Sequence, residues 1–118
     1  MLLAEAALAE ARLLANEGMW KSAVNSAYNA GYYAALAAVK TTGNFPKTHS
    51  ALRDLFRERV IATGRMDAAC GEALDTLYAA KCRAAGEDDA AWSRREVYGV
   101  LESAERIVSA ILTGRFRR

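Results

Sequence analysis

A single proline, Pro46, interrupts 118 residues that are otherwise rich in alanine. Alanine is the residue that costs least in a helix. Proline costs most there, because it lacks the N–H and clashes with the preceding turn. Valine and isoleucine are too sparse to build a sheet. The chain is therefore expected to be all-α, and its length suits one domain, residues 1–118, with a hydrophobic core of its own.

Hydrophobic periodicity and stop signals divide the chain into five helical segments. The first covers about residues 2–16, with Leu2, Ala6, Ala9 and Leu13 marking one face and Gly18 as terminator. The second covers about 19–42 and ends at Gly43; Trp20, Val24, Ala27, Gly31, Ala34 and Ala38 form a stripe of mostly small residues that a neighbouring helix can approach closely. The loop GNFPKT, residues 43–48, follows. Thr48 or Ser50 can cap the third helix, which buries Leu52, Leu55, Phe56 and Val60 and stops at Gly64. Asp67 can cap the fourth, with Cys70, Leu74, Leu77 and Tyr78 inward, fading near Gly86. The acidic connector GEDDAA, residues 86–91, leads to Ser93 and Glu96, a capping box for the fifth helix. That helix lines its core side with Val97, Leu101, Ala104, Val108 and Ile111 and closes at Gly114. Long helices joined by short loops make antiparallel neighbours, hence a bundle of four to five helices.

The net charge of +2 does not by itself call for a nucleic-acid partner, although Arg115, Arg117 and Arg118 crowd the C-terminal end. Cys70 and Cys82, with one histidine in the chain, fall short of the four clustered ligands of a structural zinc site. No metal and no cofactor is expected. The first residues, MLLAEAALAEARLL, carry Glu5, Glu10 and Arg12 and so do not read as a secretory signal. No apolar run approaches the roughly 20 residues of a membrane span. These features together suggest a cytoplasmic protein.

The second helix also holds SAYNAGYYAALAAV, residues 26–39. Asn25, Asn29, Tyr32 or Tyr33, and Leu36 make a second stripe, with Tyr28 between the two. A tyrosine can bury its ring but its hydroxyl still needs a partner, and a polar group left unpaired in a core costs about 1–3 kcal/mol. These groups must meet one another, a second copy of the chain, or a ligand. Next comes KTHS, residues 47–50, where Lys47 and His49 stand at a helix start and would suit a phosphate.

Four matches, in order, resemble the HEPN superfamily of small helical proteins. They are LLANEG (13–18), SAYNAGYYAALAAV (26–39), KTHSAL (47–52) running into F-x-x-x-V-I-x-x-G (56–64), and the Leu77–Tyr78 pair followed by basic residues and a last amphipathic helix. The resemblance implies a helical bundle that forms a homodimer. Many such proteins are metal-independent ribonucleases of toxin–antitoxin, CRISPR-associated and phage-defence systems. Others pair with a minimal nucleotidyltransferase. The nuclease members carry R-x4-6-H, an arginine for the scissile phosphate and a histidine to move the 2′-hydroxyl proton.

This chain departs from that pattern. No arginine lies four to six residues before His49, and Lys81 and Arg83 are followed by AAGEDDAAW with no histidine. The expectation is a module that binds RNA or a nucleotide and lacks the ribonuclease dyad. Asn25, Tyr28, Asn29, Tyr32, Lys47, His49, Lys81 and Arg83 are its candidate ligand-binding residues. An active ribonuclease with His49 as base and Arg53 or Arg83 as phosphate clamp is one alternative. A structural dimerisation domain is the other.

Overall fold

The computed structural model describes residues 2–113, and these form helices α1 (Leu2–Asn16), α2 (Trp20–Lys40), α3 (His49–Leu55), α4 (Ala68–Gly86) and α5 (Arg94–Leu112). No strand occurs among the described residues. α3 continues without a break into a π-helical turn, Phe56–Ile61, and a 3-10 turn, Asp89–Ala91, precedes α5. The closing glycine expected at 114 and the basic end at 115–118 lie outside the described residues. No described helix is long and apolar enough to cross a membrane.

α2 is the central element, packed by α1, α4 and α5. Its small-residue stripe explains why. Val24, Ala27, Gly31, Ala34 and Ala38 are all buried, and Trp20 is half-buried at the start. Gly31 permits the closest approach, since a Cβ there would sit 2.4 Å from Leu77 Cδ1 of α4. Without that methylene-sized space, α4 would be held away from α2 and the side chains that meet between them would separate.

The face expected of α1 is not the one it buries. Ala4, Ala7, Leu8, Ala11 and Ala15 are inside, while Leu2 is 83% and Leu13 68% exposed. The physical reason lies in helix α2. An alanine face lets the α1 backbone come closer to α2 than a leucine face could, which gains dispersion contacts where the two helices pack.

The helix ends are fixed by the residues that the sequence singled out, with one addition. Asp67 accepts from Ala69 N at 2.8 Å. Ser93 and Glu96 close a reciprocal capping box at the start of α5. α2 has no capping side chain of its own at Met19. Asp89 of the acidic connector supplies one, accepting from Lys21 N at 2.8 Å. The connector thus ties the start of α2 to the start of α5.

Candidate functional site

The Pro46 loop returns the chain across α2, and Thr48 stops it there. In extended conformation, Thr48 accepts from Ala51 N at 3.0 Å. His49 is therefore the first residue of α3, and its ring lies against α2. Its Nδ1 is hydrogen-bonded to the Tyr28 hydroxyl at 2.7 Å. The imidazole ring stacks beside Tyr28 with centroids 5.5 Å apart and lies 4.3 Å from Tyr32. Tyr28 and Tyr32 are one turn apart on α2, so one imidazole can touch both.

α4 completes the cluster. Tyr78 stands 6.3 Å from Tyr28, ring to ring. The Arg53 guanidinium, one turn after His49, lies over the Tyr78 ring at 3.6 Å, and Lys81 Nζ lies over the Tyr28 ring at 4.5 Å. Ring faces carry negative potential, so they hold a cation without neutralising it. Neither Arg53 nor Lys81 forms an ion pair among the described residues. The Nε of Arg53 is buried with no hydrogen-bond partner.

This surrounding sets the titration of the groups. Burial pushes the Tyr28 phenol up to about 12, against a smaller opposing pull from Arg53. Burial and then the charges of Lys81 and Arg53 push the His49 imidazole below its ordinary value. Tyr28 stays protonated and His49 stays neutral at physiological pH. An uncharged imidazole, three tyrosines and two cations without carboxylates form one patch. It can hold an anion and stack a flat ring.

Of the residues expected to bind ligand, Tyr28, Tyr32, His49 and Lys81 come together. Asn25 and Asn29 stand on the exposed edge of α2, outside the bonded cluster. Lys47 is exposed in the loop two residues before His49. Arg83 is not in the cluster. Its guanidinium is taken by Glu96 at 2.6 Å, Glu87 at 2.7 Å and the Ala91 carbonyl at 2.7 Å, and lies 3.9 Å over the Trp92 ring. Its hydrogen bonds to Glu96 and Glu87 raise its pKa further, and Arg83 in turn holds the Glu96 carboxyl below its ordinary value.

Tyr78 was expected only as a core residue, and it is half-buried beneath Arg53. Its position one turn before Lys81 on the same helix was the available signal.

Two other features compete for attention. A cavity of about 560 Å³ lies between the π turn, the start of α4 and α5. Its Asp67 is already committed as the α4 cap, and it includes no aromatic side chain. Cys70 beside it is buried, which raises its thiol pKa. Among the described residues no three His, Cys, Asp or Glu side chains gather as a metal site would need.

The family model described as HEPN domain matches residues 2–114 of the chain. No curated protein and no solved structure matches it significantly.

Proposed function

Because the chain belongs to the HEPN domain family, we propose that it is a phosphate-recognising module for RNA or a nucleotide, binding at the patch made by Tyr28, Tyr32, His49, Arg53, Tyr78 and Lys81. One observation carries the reading: Arg53 and Lys81 are held in place by aromatic rings and have no carboxylate partner among the described residues. Cations so placed are positioned before the ligand arrives and need shed no internal ion pair to receive it. Tyr32 supplies a ring on which a base can stack, a contact worth about 1–3 kcal/mol. In line with the family resemblance, the proposal extends to a homodimer acting beside a nucleotidyltransferase or within a toxin–antitoxin or defence system. Sedimentation of the purified chain tests the dimer.

Binding of hexauridine and of AMP, measured by fluorescence anisotropy or calorimetry at low salt, tests the site. The wild type should bind at least one probe, with affinity falling as salt rises. The Arg53→Ala/Lys81→Ala double variant should bind at least a hundredfold more weakly. Equal binding by the double variant would refute the site.

A second reading is favoured by one specific contact pattern. His49 and Arg53 lie one turn apart, His49 against Tyr28 and Tyr32 and Arg53 over the neighbouring Tyr78, as a base and a phosphate clamp would. Cleavage of RNA by wild type and not by His49→Ala would establish a ribonuclease. Equal residual cleavage in both would exclude His49 as its catalyst.

A further inference from the structure

The Tyr28–His49 contact settles more than the position of a ring. The Tyr28 side chain is 1% exposed, and His49 Nδ1 is its only recorded hydrogen-bond partner. A buried hydroxyl proton without an acceptor is costly. No carboxylate or carbonyl takes this one among the described residues, so the hydroxyl donates to Nδ1, which must then be the bare nitrogen. A neutral imidazole has one N–H, and it falls on Nε2. That atom has no hydrogen-bond partner among the described residues. The buried unpartnered side-chain atoms among the described residues are Arg53 Nε and Trp92 Nε1 alone. Nε2 of His49 therefore faces solvent.

Resting on the phosphate-site reading above, we infer that Tyr28 is a positioning residue that locks His49 as a neutral Nε2–H donor, so that the imidazole presents a ligand with a donor beside the Arg53 and Lys81 cations and His49 does not serve as a base. The groups that face the imidazole agree. From α2 come Tyr28 and Tyr32, from α3 Arg53, and from α4 Lys81. None is an acceptor carboxylate that would draw a second proton onto the ring. Protonating Nδ1 would turn Tyr28 into an acceptor and strand its own proton in the core. Arg53 and Lys81 add like charge against the same event, in keeping with the lowered His49 pKa.

An imidazole N–H beside two cations suits ligand groups that only accept, such as the non-bridging oxygens of a phosphodiester. It is unsuited to removing a proton from a 2′-hydroxyl, because the exposed nitrogen already carries one and the bare one is closed off by Tyr28. The inference thus separates the two readings of the site: the geometry favours holding RNA over cutting it.

His49 is the only histidine in the chain, so long-range ¹H–¹⁵N correlation spectra of the free protein report its tautomer without assignment. The expected pattern is a protonated Nε2 and a bare Nδ1. A Nδ1–H pattern, or a fast mixture of the two, would overturn the inference, and this reading needs no variant and no ligand. Hexauridine is the binding probe because its diesters do not titrate near neutrality. Wild-type affinity should change less than about twofold between roughly pH 6 and pH 8. In Tyr28→Phe the lock is gone, so affinity should strengthen several-fold as pH falls below neutrality and the imidazole, still held below its ordinary value by burial, Lys81 and Arg53, gains charge. A merely structural tyrosine would lower binding equally at every pH, and that outcome overturns the positioning role. If no probe binds, the phosphate-site reading fails, and the ligand role of the Nε2–H with it. Binding with the wrong tautomer defeats the inference alone.

Discussion

Arg53 and Arg83 are built alike and used differently. Each lays its guanidinium on an aromatic ring, Arg53 at 3.6 Å over Tyr78 and Arg83 at 3.9 Å over Trp92. Around Arg83 the protein adds two carboxylates and a carbonyl, and every direction of the fork is met. Around Arg53 it adds another cation, Lys81, and a neutral imidazole, and it leaves Nε unpartnered. The first arrangement fastens the acidic connector to α4 and to the capping box of α5. The second contributes little to folding, since like charges are brought together without compensation. A folded protein retains an uncompensated pair of this kind at a cost, which is best explained by a ligand that supplies the missing negative charge.

The sharpest way to break this contrast is to exchange the losses. Arg53→Ala should reduce hexauridine binding by about ten- to a hundredfold, the range of one charged hydrogen bond or two. Its melting temperature should stay near that of the wild type, because a buried unpartnered group leaves with it. Arg83→Ala should do the reverse, with a melting temperature lower by several degrees and binding of the folded fraction unchanged. Thermal melts and titrations on both variants check the pair. If Arg83→Ala lost binding as heavily as Arg53→Ala, the two clusters would not be separate in function.

The sequence made one of these clusters legible and misplaced a member of the other. The sequence reading puts both Lys81 and Arg83 among the candidate ligand-binding residues. On a helix, positions two apart do not share a face, and the structure sends Lys81 to Tyr28 and Arg83 to Trp92. The stripe of α2 was readable because glycine and alanine recur at a helical period. The capping box at Ser93 and Glu96 was readable because it is a local rule. On α1 alanine is common on both sides, so the pattern points Leu2 and Leu13 inward. Nothing local signals that the alanine face, and not the leucine face, packs inward. The Tyr28–His49 bond spans 21 positions. It depends on the Pro46 loop turning the chain back onto α2, a path that periodicity does not encode.

A smaller effect sharpens the role of the ring beneath the cation. Tyr78→Leu keeps an apolar side chain beside α2 but removes the face on which Arg53 rests. Cation–π support of this kind is worth about 0.5–2 kcal/mol. Hexauridine affinity should fall about three- to thirtyfold, by the same conversion. Tyr78→Phe keeps the ring and should bind nearly as the wild type does. Loss of binding in Tyr78→Phe would mean that the hydroxyl, and not the ring face, matters there.

The smallest expected effect is the pH dependence of stability, and it too divides the molecule in two. His49 has a folded pKa below its ordinary 6.5. The unfolded chain therefore takes up this proton first as pH falls. The stability linked to neutral His49 is complete above about 6.5 and is lost as pH drops through the lower folded value. Glu96 has a folded pKa below its ordinary 4.5, because it is bonded to Arg83 and to the cap of α5. Its contribution is complete above that value and disappears only in stronger acid. Melting temperature followed downward from neutral pH should thus decline in two stages, the patch first and the connector second. His49→Gln should remove the upper stage and leave the lower one. Glu96→Gln should do the opposite, at the expense of a lower starting melting temperature, since its pairing with Arg83 is weakened. An upper stage that survives His49→Gln would show that the imidazole is not held neutral by the fold, and the charge asymmetry between the two arginine clusters would then lack its energetic signature.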